Sequence, residues 1–248
     1  MSDTLQPPAL TDGSLRSRVL WLVRRFGLMG VVNGVTNLGL GAVKTWCRLT
    51  GRDPMQAIYD SGYFRAETNM TLPTSQVVVE FLMRQFAPRS VIDVGCGTAV
   101  YLAHFEQLGV EVTGVEGSRS GIENALIDPA RILQHDLTNG LVLPRRFDLV
   151  TCFEVAEHLP ASAAPVLARS LAALGPVLAF SAAQPGQGGV DHINEQPSSY
   201  WVGQFQRAGM SWDEGSTRLA RERMTALGCP WWLRANLLVF RAADTSRP

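Results

Sequence analysis

Val91-Ile-Asp-Val-Gly-Cys-Gly-Thr98 joins a short apolar run to a diglycine turn and then to a helical pattern. The run from Ser90 to Val94 has the continuous apolar character of a strand buried on both faces. A helix is predicted from Thr98 to Leu108, with Tyr101, Leu102, Phe105 and Leu108 facing inward and Gly109 ending it. Gly95 and Gly97 let the backbone turn tightly and approach a ligand beside a helix N-terminus. That ligand is not expected to be a dinucleotide. The third residue after Gly97 is Val100, so the third glycine of that fingerprint is missing. Asp93, immediately before the turn, would repel a pyrophosphate and suits a cation instead.

Outward from this turn, short apolar runs alternate with helical segments, the pattern of a parallel sheet wrapped by helices. Further strands are predicted at 111–115, 131–135, 147–153, 176–182 and 235–241, and helices at 165–174 and from Pro197 to near Gly209. Glu116 follows the second strand and Asp136 the third, so Asp93, Glu116 and Asp136 stand at three successive strand ends. Doubly wound sheets bind ligands at the carboxyl ends of their strands, so the three are expected to converge on one crevice.

The segment 88–159 resembles the class I S-adenosylmethionine-dependent methyltransferases, in particular the type found in ubiquinone and menaquinone biosynthesis. The resemblance implies an α/β, doubly wound, Rossmann-like sheet of seven mostly parallel strands, the last antiparallel, with helices on both faces. It implies S-adenosylmethionine as cofactor, with Asp93, Gly95, Cys96 and Gly97 around the methionine portion and Glu116 on the ribose hydroxyls. Asp136 would reach the adenine amino group, and Leu137 the adenine ring. The string Glu154-Val-Ala-Glu157-His158 falls where the family places residues between the sulfonium and the acceptor.

Methyl transfer is a one-step displacement in which alignment supplies much of the acceleration. Where the acceptor is a hydroxyl, a neutral imidazole takes its proton. His158, His192 and Glu154 are therefore the catalytic candidates, His192 lying in Asp191-His-Ile-Asn-Glu195 after the fifth strand. These two imidazoles are the ground for expecting methylation of a hydroxyl oxygen on a small-molecule acceptor. The competing readings are that His158 packs the start of the next helix and that His192 is a solvated loop residue. Tyr59, Tyr63 and Phe64, just upstream of the domain, either line the acceptor pocket or pack the N-terminal arm onto the sheet, and the 184–189 loop is a candidate lid.

Two further readings stay open. Glu154, Glu157, His158 and His192 also resemble the set that holds a divalent ion in small-RNA 2′-O-methyltransferases, although the catalytic domain has no dense basic face for RNA. A non-catalytic scaffold that keeps the cofactor crevice is the other. No Asp-Pro-Pro-Tyr-type motif follows the fourth strand, which argues against the amino-methylating nucleic-acid enzymes of this fold.

The whole chain has 248 residues, enough for one catalytic core with an extension. An N-terminal helical arm is expected over 1–70 and the catalytic domain over 71–248. Its 22 basic and 22 acidic residues balance, which gives no global attraction to DNA. Cys47, Cys96, Cys152 and Cys229 are dispersed and suit a reduced cytoplasm rather than a metal knuckle. Residues 13–52 carry seven basic residues and no acidic one. A helix starting near Ser14 is expected there, either covering the domain or lying on an anionic membrane surface through its arginines and Trp21. The uncharged run 26–43 holds Asn33, Asn37 and five glycines, which makes it a poor membrane span.

Overall fold

A computed structural model describes residues 29–243. The arm begins with helix α1 (Met29–Thr50), followed by the short α2 (Pro54–Ile58) and the long α3 (Ser61–Phe86). Asp53 and Asp60 cap the last two, accepting hydrogen bonds from the amides of Met55 and Tyr63 respectively, each at 2.9 Å. The helix expected from Ser14 lies outside the described residues. One helix, α3, runs through the expected boundary at residues 70 and 71 and carries Pro73 in its interior.

The remaining elements are β1 (Ser90–Val94), α4 (Val100–Gln107), β2 (Glu111–Glu116), α5 (Arg119–Glu123), β3 (Ile132–Gln134), β4 (Leu149–Phe153), α6 (Ala164–Leu174) and β5 (Val177–Ser181). They are followed by α7 (Ser198–Arg207), β6 (Met210–Trp212), α8 (Glu214–Ala226), α9 (Trp231–Asn236) and β7 (Leu238–Ala242). The seven strands form one sheet in the order β3-β2-β1-β4-β5-β7-β6. β1 to β5 pair in parallel and β7 pairs antiparallel with both β5 and β6, as the resemblance implied.

Alternation along each strand divides the core in two. Val91 and Leu149 join Val78, Leu82, Leu102 and Phe105 on the face covered by α3, α4, α8 and α9. Ile92, Val150 and Phe180 point the other way, onto Leu167 and Leu171 of α6 and Trp201 and Phe205 of α7. Burial on both faces is why β1 and β4 read as unbroken apolar runs. The chain order reverses between β1 and β4, so the crevice expected for a ligand opens at their carboxyl ends.

Leu108 corrects one expectation. It is 54% exposed, because α4 stops at Gln107 and leaves it beyond the last turn. The strand expected over 235–241 begins at Leu238, its first residues belonging to α9, and β6 and α8 were not foreseen from the sequence.

Candidate functional site

The turn after β1 has the backbone that its glycines permit. Gly95 has φ 80°, and its amide and that of Cys96 donate to the Val115 carbonyl at 2.8 and 3.0 Å. A Cβ at Gly95 would collide with the Val155 side chain. Gly97 has φ 54°, and its amide donates to Glu116 Oε2 at 2.8 Å. The second Glu116 oxygen accepts from the Ser118 amide at 2.7 Å. Glu116 thus braces the glycine turn at the end of β2. Cys96 is buried, its Sγ packed against Gly114.

Asp93 is 2% exposed at the end of β1, opposite Thr151 in the β1–β4 register. Burial pushes its carboxyl up to about 7, with the charges of Glu116 and Glu67 adding to the effect and a Thr151 hydrogen bond opposing it. Burial also raises the carboxyls of Glu116 and Glu67. Glu67 comes from α3: Thr71 Oγ1 donates to its Oε1 at 2.8 Å, and its Oε2 would lie 3.7 Å from a Cβ at Gly97. Phe64 of the same helix covers Gly97 and Gly121. Among the described residues, none of Glu67, Asp93 and Glu116 pairs with a lysine or arginine. One buried and two half-buried carboxyl groups that repel one another around a diglycine turn suit a ligand that brings its own positive charge.

The sequence marks the stretch from Glu67 to Leu72 only as one placed where relatives close over the cofactor, and no periodic pattern gives the Glu67 carboxylate its reach to a turn thirty positions away. Asp136 sits at the end of β3 but is exposed, and its carboxylate caps the following turn. It accepts from the Thr138 amide at 2.9 Å, from Thr138 Oγ1 at 2.8 Å and from Asn139 Nδ2 at 3.1 Å. Leu137 beside it is buried. The hollows lined by Val77, Phe81 and Leu219 and by Trp212 and Arg218 lie elsewhere, on α8. The strand-tip crevice is instead roofed by α3.

Beyond β4, Glu154 lies near Glu157 but takes its hydrogen bonds from Asn236 and Gln187. Glu154 has φ 53°, and its carboxylate accepts from Asn236 Nδ2 at 3.1 Å and from Gln187 Nε2 at 3.0 Å. Glu157 points inward with 0% exposure, and among the described residues neither carboxylate oxygen has a hydrogen-bond partner. Burial and the Glu154 charge push its carboxyl well up. His158 and His192 meet edge to face with ring centroids 5.0 Å apart. Ligand atoms of Glu157, His158 and His192 all lie within 4.8 Å of one another, a group that excludes Glu154.

Burial, reinforced by the neighbouring His192, lowers His158 to about 3, against the opposing pull of the Asp191 and Val190 carbonyls. Its imidazole is therefore neutral at working pH. His192 Nδ1 lies 3.1 Å from Glu195 Oε1, and the Glu195 carboxylate also accepts from the amides of Gly186 and Gly188 at 2.7 and 2.6 Å. The 184–189 loop is pinned by these bonds. Gly189 has no Cβ where the His192 ring passes. Among the described residues, the positive-φ residues other than glycine are Ala87, Ala99, Glu154 and Asp191. The last three follow β1, β4 and β5, and such strain gathers where a structure over-determines a site.

Comparison with known proteins agrees with this geometry. Residues 67–210 match the family model described as a methyltransferase domain. The ubiquinone biosynthesis O-methyltransferase, mitochondrial, of Schizosaccharomyces pombe is 37% identical over 82 residues, 30% of this chain and 30% of its own length. That of Alkalilimnicola ehrlichii is 31% identical over 121 residues, 45% of this chain and 44% of its own. The matched stretch thus spans less than half of each relative. Among solved structures, Streptomyces venezuelae DesVI superposes with TM-score 0.53 at 17% identity, over 69% of this chain and 92% of its own. CalS10 from Micromonospora echinaspora, an amino pentose methyltransferase with bound S-adenosylmethionine, does so with TM-score 0.51 at 17% identity, over 69% and 90%. At these identities the likeness is one of fold.

Proposed function

We propose that this chain, which belongs to the family of methyltransferase domains, transfers the methyl group of S-adenosylmethionine to a hydroxyl oxygen of a small-molecule acceptor. The observation that carries the reading is the set of acidic groups around Gly95 and Gly97, buried Asp93 with half-buried Glu67 and Glu116, without a basic partner among the described residues. The cofactor supplies a sulfonium-activated methyl group. Asp93 and Glu67 would face its positive portion and Glu116 its ribose, with Cys96 shaping the turn. Asp136 and Leu137 would meet the adenine, Asp136 doing so while it caps its own turn.

His158 would take the acceptor proton. Its neutrality and its burial beside His192 suit a general base, because the acceptor oxygen becomes nucleophilic as the proton leaves. The acceptor O–H proton would pass to the imidazole as the oxygen takes up the methyl group that the cofactor would supply, the S–CH₃ bonding pair staying with sulfur. Glu154, bonded to Asn236 and Gln187, would act by holding the 184–189 loop against the site. Roofing by Phe64 would keep water out.

Isothermal titration with S-adenosylmethionine and its demethylated product, followed by methyl-transfer assays on hydroxylated small molecules including ubiquinone precursors, tests this reading. Binding without turnover on any acceptor would favour a scaffold. A second reading keeps the transfer and adds a divalent cation held by Glu157, His158 and His192, favoured by the unpartnered Glu157 carboxyl. Loss of activity on chelation, restored by Mg²⁺ or Mn²⁺, belongs to that reading alone. The four-residue set of the small-RNA enzymes has less support, since Glu154 is not among the groups whose ligand atoms lie within 4.8 Å of one another.

For the arm, one face of α1 turns toward the domain through Lys44 and the buried Cys47, while Trp46 and Leu49 are exposed beside Arg48 and Arg52. Arg52 stacks over Trp46 at 4.7 Å. This supports contact of the outer face with an anionic membrane surface, which co-sedimentation with anionic and neutral vesicles would test. Among the described residues no helix is long and apolar enough to cross a membrane. A reducing, cytoplasmic setting belongs to the same proposal, and the four cysteines are free and buried.

A further inference from the structure

His158 is useful as a base only if the nitrogen facing the acceptor carries a lone pair rather than a proton. The tautomer decides this, and the partner of the other nitrogen sets the tautomer. For Nδ1 that partner comes from the arm, beside the Asp191 and Val190 carbonyls that also approach the ring. Tyr59 Oη lies 3.1 Å from His158 Nδ1 and 3.4 Å from Asp191 Oδ2. Asp191 is itself buried, at φ 58°, and its other oxygen is 2.5 Å from Lys44 Nζ of α1.

A phenol has one proton to give. If it went to His158, the Tyr59 oxygen would face a buried carboxylate oxygen at 3.4 Å with no proton between them. Giving it to Asp191 removes that repulsion and forms a charge-assisted bond. The Tyr59 oxygen is then left as an acceptor, and the proton it accepts is one on His158 Nδ1. The phenol is well placed for this duty. Ser118 Oγ donates to the Tyr59 carbonyl at 2.8 Å, the Tyr63 ring packs at 5.0 Å, and burial and the Asp191 charge hold the phenol in its protonated form.

We propose that Tyr59 and Asp191 form a positioning pair that holds His158 as its Nδ1–H tautomer, leaving Nε2 as the free lone pair for the acceptor proton. The proposal rests on the reading of His158 as the base. Lys44 keeps Asp191 in place, which brings α1 and α2 into the catalytic arrangement. When Nε2 takes the proton, the imidazolium charge is met through Tyr59 by Asp191, with no proton leaving Nδ1.

The test is long-range ¹H–¹⁵N correlation spectroscopy on the histidine-labelled full chain, with the His158 signal assigned by its loss in His158→Ala. The wild type is expected to show protonated Nδ1 and bare Nε2. Tyr59→Phe should reverse or average the tautomers and lower kcat by about tenfold or more while leaving the cofactor Kd unchanged. Asp191→Asn, which keeps an acceptor oxygen and tolerates positive φ, should move both readouts less. A protonated Nε2 in the wild type, or a tautomer unchanged in both variants, overturns the pair. Wild-type turnover in His158→Ala would instead overturn the base and with it the catalytic purpose of the pair. An inactive His158→Ala beside a fully active Tyr59→Phe would sink the pair and leave the base standing.

Discussion

Thr151 Oγ1 donates a 2.7 Å hydrogen bond to Asp93 Oδ1 between the adjacent strands β1 and β4. Among the described residues no other side chain donates to this carboxyl group, which burial has lifted from 3.8 to about 7. A carboxylate kept so far from water, with two more acidic groups nearby, is unfavourable until a cation arrives.

Asp93 makes stability depend on pH in a direction opposite to the usual acidic residue. The folded protein holds the Asp93 proton below about pH 7, whereas the unfolded chain holds it only below about 4. Folding takes up a proton between those values, so this group's contribution to stability rises as the pH falls through that window. Asp93→Asn should flatten the slope and stabilise the ligand-free protein above pH 7 by at most about 4 kcal/mol. Urea unfolding at about pH 5 and about pH 8 reads it, and identical slopes in both proteins would refute the assignment. A bound cation favours the ionised form, so cofactor binding near pH 6–7 should release a proton, visible as a buffer-dependent heat in calorimetry.

Loss of a carboxylate that meets the cofactor should weaken its binding without abolishing the fold. Glu116→Ala removes the acceptor of the Gly97 and Ser118 amides as well as a ligand contact, and affinity should fall by about 10- to 100-fold. Glu67→Gln keeps the Thr71 bond and loses only the charge, so a drop of about tenfold is expected. Unchanged affinity in both, measured by titration, would place the cofactor elsewhere.

Gly95→Ala should cost more than Gly97→Ala. Both positions have positive φ, yet a Cβ at Gly95 strikes Val155 while one at Gly97 meets Phe64 at 3.4 Å. Gly95→Ala should lower Tm by several degrees, and adding Val155→Ala should recover part of the loss, leaving the backbone strain of about 1 kcal/mol. No recovery in the double variant would show that the clash is not the cause.

His158→Ala should reduce turnover by about 10²- to 10⁴-fold with cofactor affinity intact. With His158 held near 3, its protonation adds no acid limb to the kcat profile between about pH 5 and pH 8. A wild-type profile that falls along a limb near pH 6.5, absent in a slow but measurable His158→Ala, would contradict the neutral-base reading.

Most of the sheet was legible because its strands are buried on both faces, and a short unbroken apolar run such as Ser90–Val94 fits poorly anywhere but a strand covered on each side. The placement of Asp93, Gly95, Gly97 and Glu116 around strand tips was legible because strand ends are fixed points in this topology. β6 has three residues and α8 is strongly polar, so neither left a pattern to find. Glu154 was expected to face the acceptor, but its left-handed backbone directs the side chain to Asn236, a partner no local pattern names. The Lys44–Asp191 and Tyr59–His158 pairs join residues 147 and 99 positions apart and exist only in three dimensions.

Helix α3 is a single rod with two duties. Its first turns set Phe64 and Glu67 over Gly97, and beyond Pro73 the same rod drives Val78, Val79 and Leu82 into the hydrophobic interior. On the proposed function, a truncation starting at residue 71 would therefore leave the strand-tip crevice unroofed and open to water where the methyl group would travel. On that reading the arm would be a working part of the machine rather than packaging around it, and evolution of a new acceptor preference would have a natural foothold in those first turns.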